Sequence, residues 1–272
     1  RFYEEQRQWN KAIENYRKAI DWDEKTNNQS EIGNSYHQIG MVYEEQRQWS
    51  KALENYRLAI KWNEKTNNQS EIGSSYHQIG MVYEEQRQWN KALENYRKAI
   101  DWDEKTNNQS KIGSSYHQIG LVYQLQKRRN KALENYRLAI DWNEKTNNLF
   151  DVGITFSNIR GLLEQSTNIK KRIKFFKNEI MSFEKQNRFK ILGYLYHELA
   201  LLYSDYGKRK KEYEYFLKAL EAKNAQGIEF EIGNTYYFLA DFYDEENNTP
   251  KALEYYVTAL EYMLKYADYE YA

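Results

Sequence analysis

The chain has 272 residues, 40 Lys+Arg against 40 Asp+Glu, 16% aromatic residues, one Pro and no Cys. The missing Cys excludes disulfides, thiolate metal sites and a cysteine nucleophile, and the neutral sum excludes a chain that is basic or acidic throughout. Mean hydropathy is low, at -1.01, yet the 26 Tyr can bury a ring and keep a hydroxyl wet, so the composition is that of a folded chain and not a disordered one.

No run of about 18 apolar residues predicts a membrane span, and Arg1 to Glu5 do not begin a signal peptide, so the sequence reads as soluble and cytoplasmic. In chain order, residues 1–30 read as a truncated repeat. Tyr3 matches Tyr43 at an offset of 40, so the first residues read as the last turns of a helix, followed by a turn at Trp9 and a second helix carrying Ala19. Residues 31–70 give the full unit. Ile32, Tyr36, Ile39 and Tyr43 recur at i, i+4, i+7 and i+11 and predict one helix stripe. Gln46 to Ser50 predict a short turn, and Ala52, Leu53, Tyr56, Ala59 and Ile60 a second stripe. Asn67 to Ser70 predict the end of that helix and a cap for the next.

Residues 71–110 and 111–150 are near copies, with Tyr36, Tyr76 and Tyr116 spaced by 40. Residues 151–190 keep Phe156 and Ile159 but carry Arg160, Arg172 and Glu179 where small residues stood. This irregular repeat reads either as a partner site or as a change of curvature. Residues 191–230 follow with Tyr196, Leu199 and Glu212, and residues 231–272 with Tyr236, Leu239, Ala259, Leu260, Met263 and Tyr266. Neither end shows the polar capping element a solenoid uses. The expectation is an excerpt of a longer protein, or ends that meet a partner or one another.

Two short helices with one apolar stripe each cannot enclose a core, so each unit must bury its stripe against its neighbours. Gly40, Gly80 and Gly120 sit inside predicted helices at a cost of about 1 kcal/mol each relative to Ala, which implies close approach of another helix. The Trp residues read as packing residues: Trp9, Trp49 and Trp89 in the turns, Trp22, Trp62, Trp102 and Trp142 in the core.

The succession Tyr36, Ile39, Gly40, Tyr43, Ala52, Tyr56, Ala59, repeated from Tyr76 to Ala99, resembles the tetratricopeptide repeat (TPR) family. The resemblance implies an all-α fold, an α-α superhelix built as a TPR-like solenoid of helix-turn-helix repeats, in a single domain over 1–272. The period of 40 and Glu64 in place of a Pro depart from the usual repeat of about 34 residues. They are similar to the longer-helix subtype of kinesin light chain-like, quorum-sensor-like and bacterial protease-associated repeat proteins. What that subtype implies is the sensor or interaction arm of a larger protein.

In the family, the side of the first helix away from the core is a concave groove. Here it carries Asn34, His37, Gln38, Met41 and Glu45, then Ser74, His77, Gln78, Met81 and Glu85, then Ser114, His117 and Gln118, and later His197. Such a ladder offers donors, acceptors and adaptable Met contacts to a protein or peptide. Glu44, Glu45, Glu84 and Glu85 favour a basic ligand. Histidines on helices about 8–10 Å apart cannot share a zinc ion with ligand distances near 2.1 Å, so no metal and no cofactor is expected.

Charge is uneven along the chain, with 20 Lys+Arg against 11 Asp+Glu over 121–220 and 3 against 11 over 221–272. Lys127, Arg128, Arg129, Lys170, Lys171, Arg172, Lys208, Arg209, Lys210 and Lys211 recur at predicted turns. They form a candidate basic stripe, which supports the alternative of a nucleic-acid- or acidic-partner-associated module of a defence or signalling complex. No Gly-rich phosphate loop or catalytic triad is present, so the sequence predicts no enzyme.

Overall fold

The computed structural model describes the backbone of residues 2–165, 167–227 and 229–270, and the side chains within those ranges apart from 2–7, 70 and 266–270. The side chains of Tyr3, Ser70 and Tyr266 lie outside the described residues. Among the described residues are thirteen α-helices and no strand: α1 Phe2–Thr26, α2 Ile32–Glu45, α3 Trp49–Lys65, α4 Ser70–Glu85, α5 Trp89–Lys105, α6 Ile112–Leu125, α7 Arg129–Lys145, α8 Leu149–Glu164, α9 Ile169–Lys185, α10 Leu192–Asp205, α11 Arg209–Asn224, α12 Glu229–Glu245 and α13 Thr249–Glu270. None is long and apolar enough to cross a membrane. The chain divides by its own contacts into two compact units, residues 1–142 and 143–272.

Each repeat is a helical hairpin, and the second helix of one repeat packs on the first helix of the next: α3 on α4 and α5 on α6 in one unit, α9 on α10 and α11 on α12 in the other. Ala52, Tyr56 and Ala59, with their equivalents Ala92, Tyr96 and Ala99, are fully buried. The small residues admit the rings. A Cβ built on Gly40 would lie 2.6 Å from the Tyr56 ring, and one on Gly80 2.6 Å from the Tyr96 ring. The glycines are thus the seats of the partner tyrosines, and burial of the ring offsets their poor helix propensity. Tyr36 and Tyr76, read as core, are only half-buried. Ile39 and the second-helix tyrosines Tyr56 and Tyr96 hold the buried positions instead.

The turns follow a stricter period than the helices. Residues with positive φ recur every 20 positions at Asn27, Arg47, Asn67, Arg87, Asn107, Lys127 and Asn147, and again at Asn187, Gly207, Gly227 and Asn247. At the end of α2, α4, α6, α10 and α12 an N–H reaches back five residues, as in Gln48 N–H to the Tyr43 carbonyl at 2.8 Å. That is the Schellman arrangement, which satisfies carbonyls the helix end leaves open. Left-handed backbone suits Gly, and Asn tolerates it, but Arg does so at a cost. Arg87→Gly, at an exposed position, is therefore expected to raise stability by about 0.5–1 kcal/mol, read as a higher urea midpoint at unchanged slope.

Several expectations need correction. α1 runs unbroken from Phe2 to Thr26, with no turn at Trp9. The two helical turns before Trp9 gain more from continuing the backbone ladder than from a left-handed hinge. Trp49 and Trp89 are the first residues of their helices and do not sit in the turns. Neither are the second-helix Trp residues core: Trp22 is 68% exposed, and half-buried Trp62 and Trp102 lie under Lys65 and Lys105 at 4.3 and 5.0 Å. The deep position on that helix belongs to the tyrosine one stripe away. Finally, α4 has no side-chain cap, because Gln69 turns back to Asn67 Oδ1 at 2.8 Å.

Candidate functional site

In the unit 1–142 the outer side of α2, α4 and α6 carries the ladder. His37 Nδ1 meets Ser75 Oγ at 2.9 Å, and His77 Nδ1 meets Ser115 Oγ at 2.8 Å. Ser75 donates its own proton to the Glu71 carbonyl at 3.2 Å, so the bond from His37 is an Nδ1–H donation and Nε2 is the ring's acceptor. The rings of His37, His77 and His117 lean on Tyr56, Tyr96 and Tyr136 at 5.2, 5.3 and 5.5 Å. Burial, with Lys111 nearby, pushes His77 down to about 4, and His37 is lowered chiefly by burial. His37 and His77 are neutral rivets between successive first helices.

What the rivets leave outward is the row beside them. Gln38, Glu45 and Glu85 are exposed, and Met41, Gln78, Met81 and Gln118 are half-exposed. Asn34 is spent on Glu31 at 2.9 Å, and Ser74 accepts from Lys111 at 2.5 Å; Ser114 is half-buried. Glu44 and Glu84 are not outward ligands, since they accept the buried hydroxyls of Tyr56 and Tyr96 at 2.5 and 2.6 Å. Burial raises both carboxyls.

Asp103 carries a charge in the packing layer. It is 1% exposed, one oxygen takes Asn108 at 3.3 Å and the other has no partner. Burial pushes its carboxyl up to about 6. The equivalent positions in the two flanking repeats hold Asn63 and Asn143. Because the folded value lies above the unfolded one of about 3.9, the penalty is full above pH 6 and relieved as pH falls toward 4. Asp103→Asn is expected to add about 2 kcal/mol at pH 8, with the gain shrinking on acidification. Urea unfolding at pH 8 and pH 4.5 checks it. His77 works oppositely: stability it contributes above pH 6.5 is lost as pH falls toward 4.

In the unit 143–272 the same faces of α8, α10 and α12 carry ions. Arg160 Nε donates to Glu198 Oε2 at 2.5 Å. Lys223, 1% exposed, donates to Glu231 Oε2 and Thr235 Oγ1, both at 3.0 Å, and to the Glu231 carbonyl at 3.3 Å. His197 is buried with Nδ1 3.2 Å from Thr235 Oγ1, and burial, Lys223 and Arg160 together drive it far below the ordinary range. The Lys223 Nζ lies 5.1 Å from the Tyr194 ring centroid. These groups floor a cavity of about 300 Å³ whose wall includes Phe150, Ile154, Phe230 and Phe238.

Of the predicted ladder only His197 belongs to this cluster. Arg160, Glu198, Lys223, Glu231 and Tyr194 were not assigned to a site from the sequence. For Arg160, Glu198 and Lys223 the signal was a charge at register positions that hold Gly40, Gln38 and Asn63 elsewhere; Glu231 and Tyr194 carried none. The basic residues lie mostly at turns. Lys127, Lys170, Lys171, Lys208 and Lys210 are exposed, and Arg129 is half-buried. Arg128 lies over Tyr123 at 5.3 Å, and Arg172 lies 3.5 Å from Glu164. Arg209 binds Glu212, Glu245 and Glu246, and Lys211 binds Glu214 at 2.6 Å.

The family model described as soluble NSF attachment protein (SNAP) matches residues 1–150, and one described as tetratricopeptide repeat matches 233–262. No curated protein sequence matches. Among solved structures, apo RapI is similar at 19% identity and TM-score 0.56, covering 98% of this chain and 96% of that one. Aspartyl phosphate phosphatase F from Bacillus subtilis is similar at 16% and 0.56, covering 96% and 69%. The Rap conjugation gene regulator of plasmid pLS20, solved in complex with the Phr* peptide, is similar at 15% and 0.50, covering 96% and 70%. At such identities the likeness shows a common TPR-type helical fold.

Proposed function

Since the chain belongs to the soluble NSF attachment protein family of TPR-type helical repeats, we propose that it is a protein- or peptide-binding scaffold, with no catalysis of its own, serving as the interaction or sensor arm of a larger protein. Its partner lies on the first-helix faces, in the unit 1–142 against Gln38, Met41, Gln78, Met81 and Gln118. The observation that carries this reading is the riveting of α2 to α4 and α4 to α6 by His37–Ser75 and His77–Ser115, beside a row of amides and thioethers left accessible. A surface ordered in advance loses little entropy on binding. The pLS20 regulator's complex with a peptide gives the same reading outside support.

The experiment is selection of displayed random peptides on the full chain, followed by affinity measurement with Gln78→Lys and Gln118→Lys combined. The expected outcome is at least a tenfold loss of affinity at unchanged helical circular dichroism. Unchanged affinity contradicts the placement. A nucleic-acid or acidic partner on the basic residues has less support, because Arg209 and Lys211 are engaged by carboxylates.

A further inference from the structure

We propose that the cavity between α8, α10 and α12 is a subsite for one large uncharged residue of a bound peptide, with an aromatic or branched aliphatic side chain against Phe150, Ile154, Phe230 and Phe238 and a neighbouring peptide group on the Tyr194 hydroxyl. This rests on the scaffold reading above and assigns it a second, chemically distinct position.

The cavity measures about 300 Å³, room for a single side chain and its backbone and too little for a folded element. Its wall is apolar and partly open. Phe150 is 48% and Ile154 41% exposed, Phe150 packs edge-on to Phe230 at 5.9 Å, and Phe238 packs on His197 at 5.0 Å. The floor is polar but balanced in charge. Arg160 is matched by Glu198 and Lys223 by Glu231, and Lys223 uses all three of its protons. A cation or anion entering here finds no opposite charge to spare, and an unmatched buried charge is strongly penalised.

Tyr194 marks where a ligand would bond. It is 3% exposed, and its hydroxyl is buried without a hydrogen-bond partner, an arrangement native interiors rarely leave unanswered. A phenol both donates and accepts, so it suits either edge of a peptide group. The remaining contact is shape: Gly153 seats the Tyr194 ring, since a Cβ there would lie 2.7 Å from it, and Tyr194 itself lines the cavity.

The probes are N-acetyl-phenylalaninamide, N-acetyl-leucinamide, N-acetyl-lysinamide and N-acetyl-glutamate α-amide. They are titrated at millimolar concentration into full chain carrying ¹³C-methyl Ile and Met. The Phe and Leu amides are expected to shift the Ile154 methyl resonance, with the Lys and Glu amides at least about tenfold weaker. Tyr194→Phe is expected to weaken the Phe amide by about fivefold or more at an unchanged melting temperature. Equal binding of the charged amides, indifference to Tyr194→Phe, or no movement of Ile154 overturns the proposal. If Met41 and Met81 respond while Ile154 does not, the subsite fails and the scaffold reading survives. If none responds and displayed peptides are not captured, both fail.

Discussion

Lys223→Ala is expected to destabilise the unit 143–272 by about 3–5 kcal/mol, because it leaves Glu231 buried without its counter-charge. The lysine is 1% exposed and Glu231 8%, so water cannot enter cheaply to replace the ammonium. Three bonds vanish together, and Thr235, which also holds His197, loses one of its partners. The matched change, Lys223→Met with Glu231→Gln, is expected to recover more than half of the loss, since an uncharged pair needs no compensation. Urea denaturation measures the totals, and hydrogen exchange of the α10 and α12 amides locates them. A loss below about 1 kcal/mol for Lys223→Ala, or no recovery in the double variant, refutes the assignment of this pair as a structural ion pair.

The second large effect concerns a residue that propensity alone would call a defect. Gly80→Ala improves intrinsic helix propensity by about 1 kcal/mol, yet the added Cβ would lie 2.6 Å from two atoms of the Tyr96 ring. Tyr96 is fully buried and its hydroxyl is held by Glu84, so the ring cannot swing aside without breaking a buried bond. A net destabilisation of about 2–3 kcal/mol is expected. The companion variant Gly161→Ala, at a glycine with nothing within 4 Å of a built Cβ, is expected to be stabilising. Thermal unfolding of both variants decides whether close approach, and not glycine as such, sets the sign.

These contrasts show which parts of the molecule a single sequence exposes. The hairpin period was legible because Tyr36, Tyr76 and Tyr116 repeat without insertion, and the close approach at Gly40 because a glycine inside a helix demands a reason. The role of His37 was not legible. A helical wheel turns it away from its own core, and its partner Ser75 stands 38 residues on, visible only once two repeats are stacked. The Arg160–Glu198 pair is hidden by the same separation. Trp62 misled because bulk suggested burial, whereas the deep position of its helix was already filled by Tyr56.

The most direct test of the scaffold account places a photo-crosslinking amino acid at Gln38 or Gln78 on the first-helix face, and at Glu54 or Lys61 on the exposed side of α3, in the presence of a selected peptide. The account predicts crosslinks from Gln38 and Gln78, and none from Glu54 or Lys61. Crosslinking confined to Glu54 and Lys61 would put the partner on the opposite side of the repeats and contradict it.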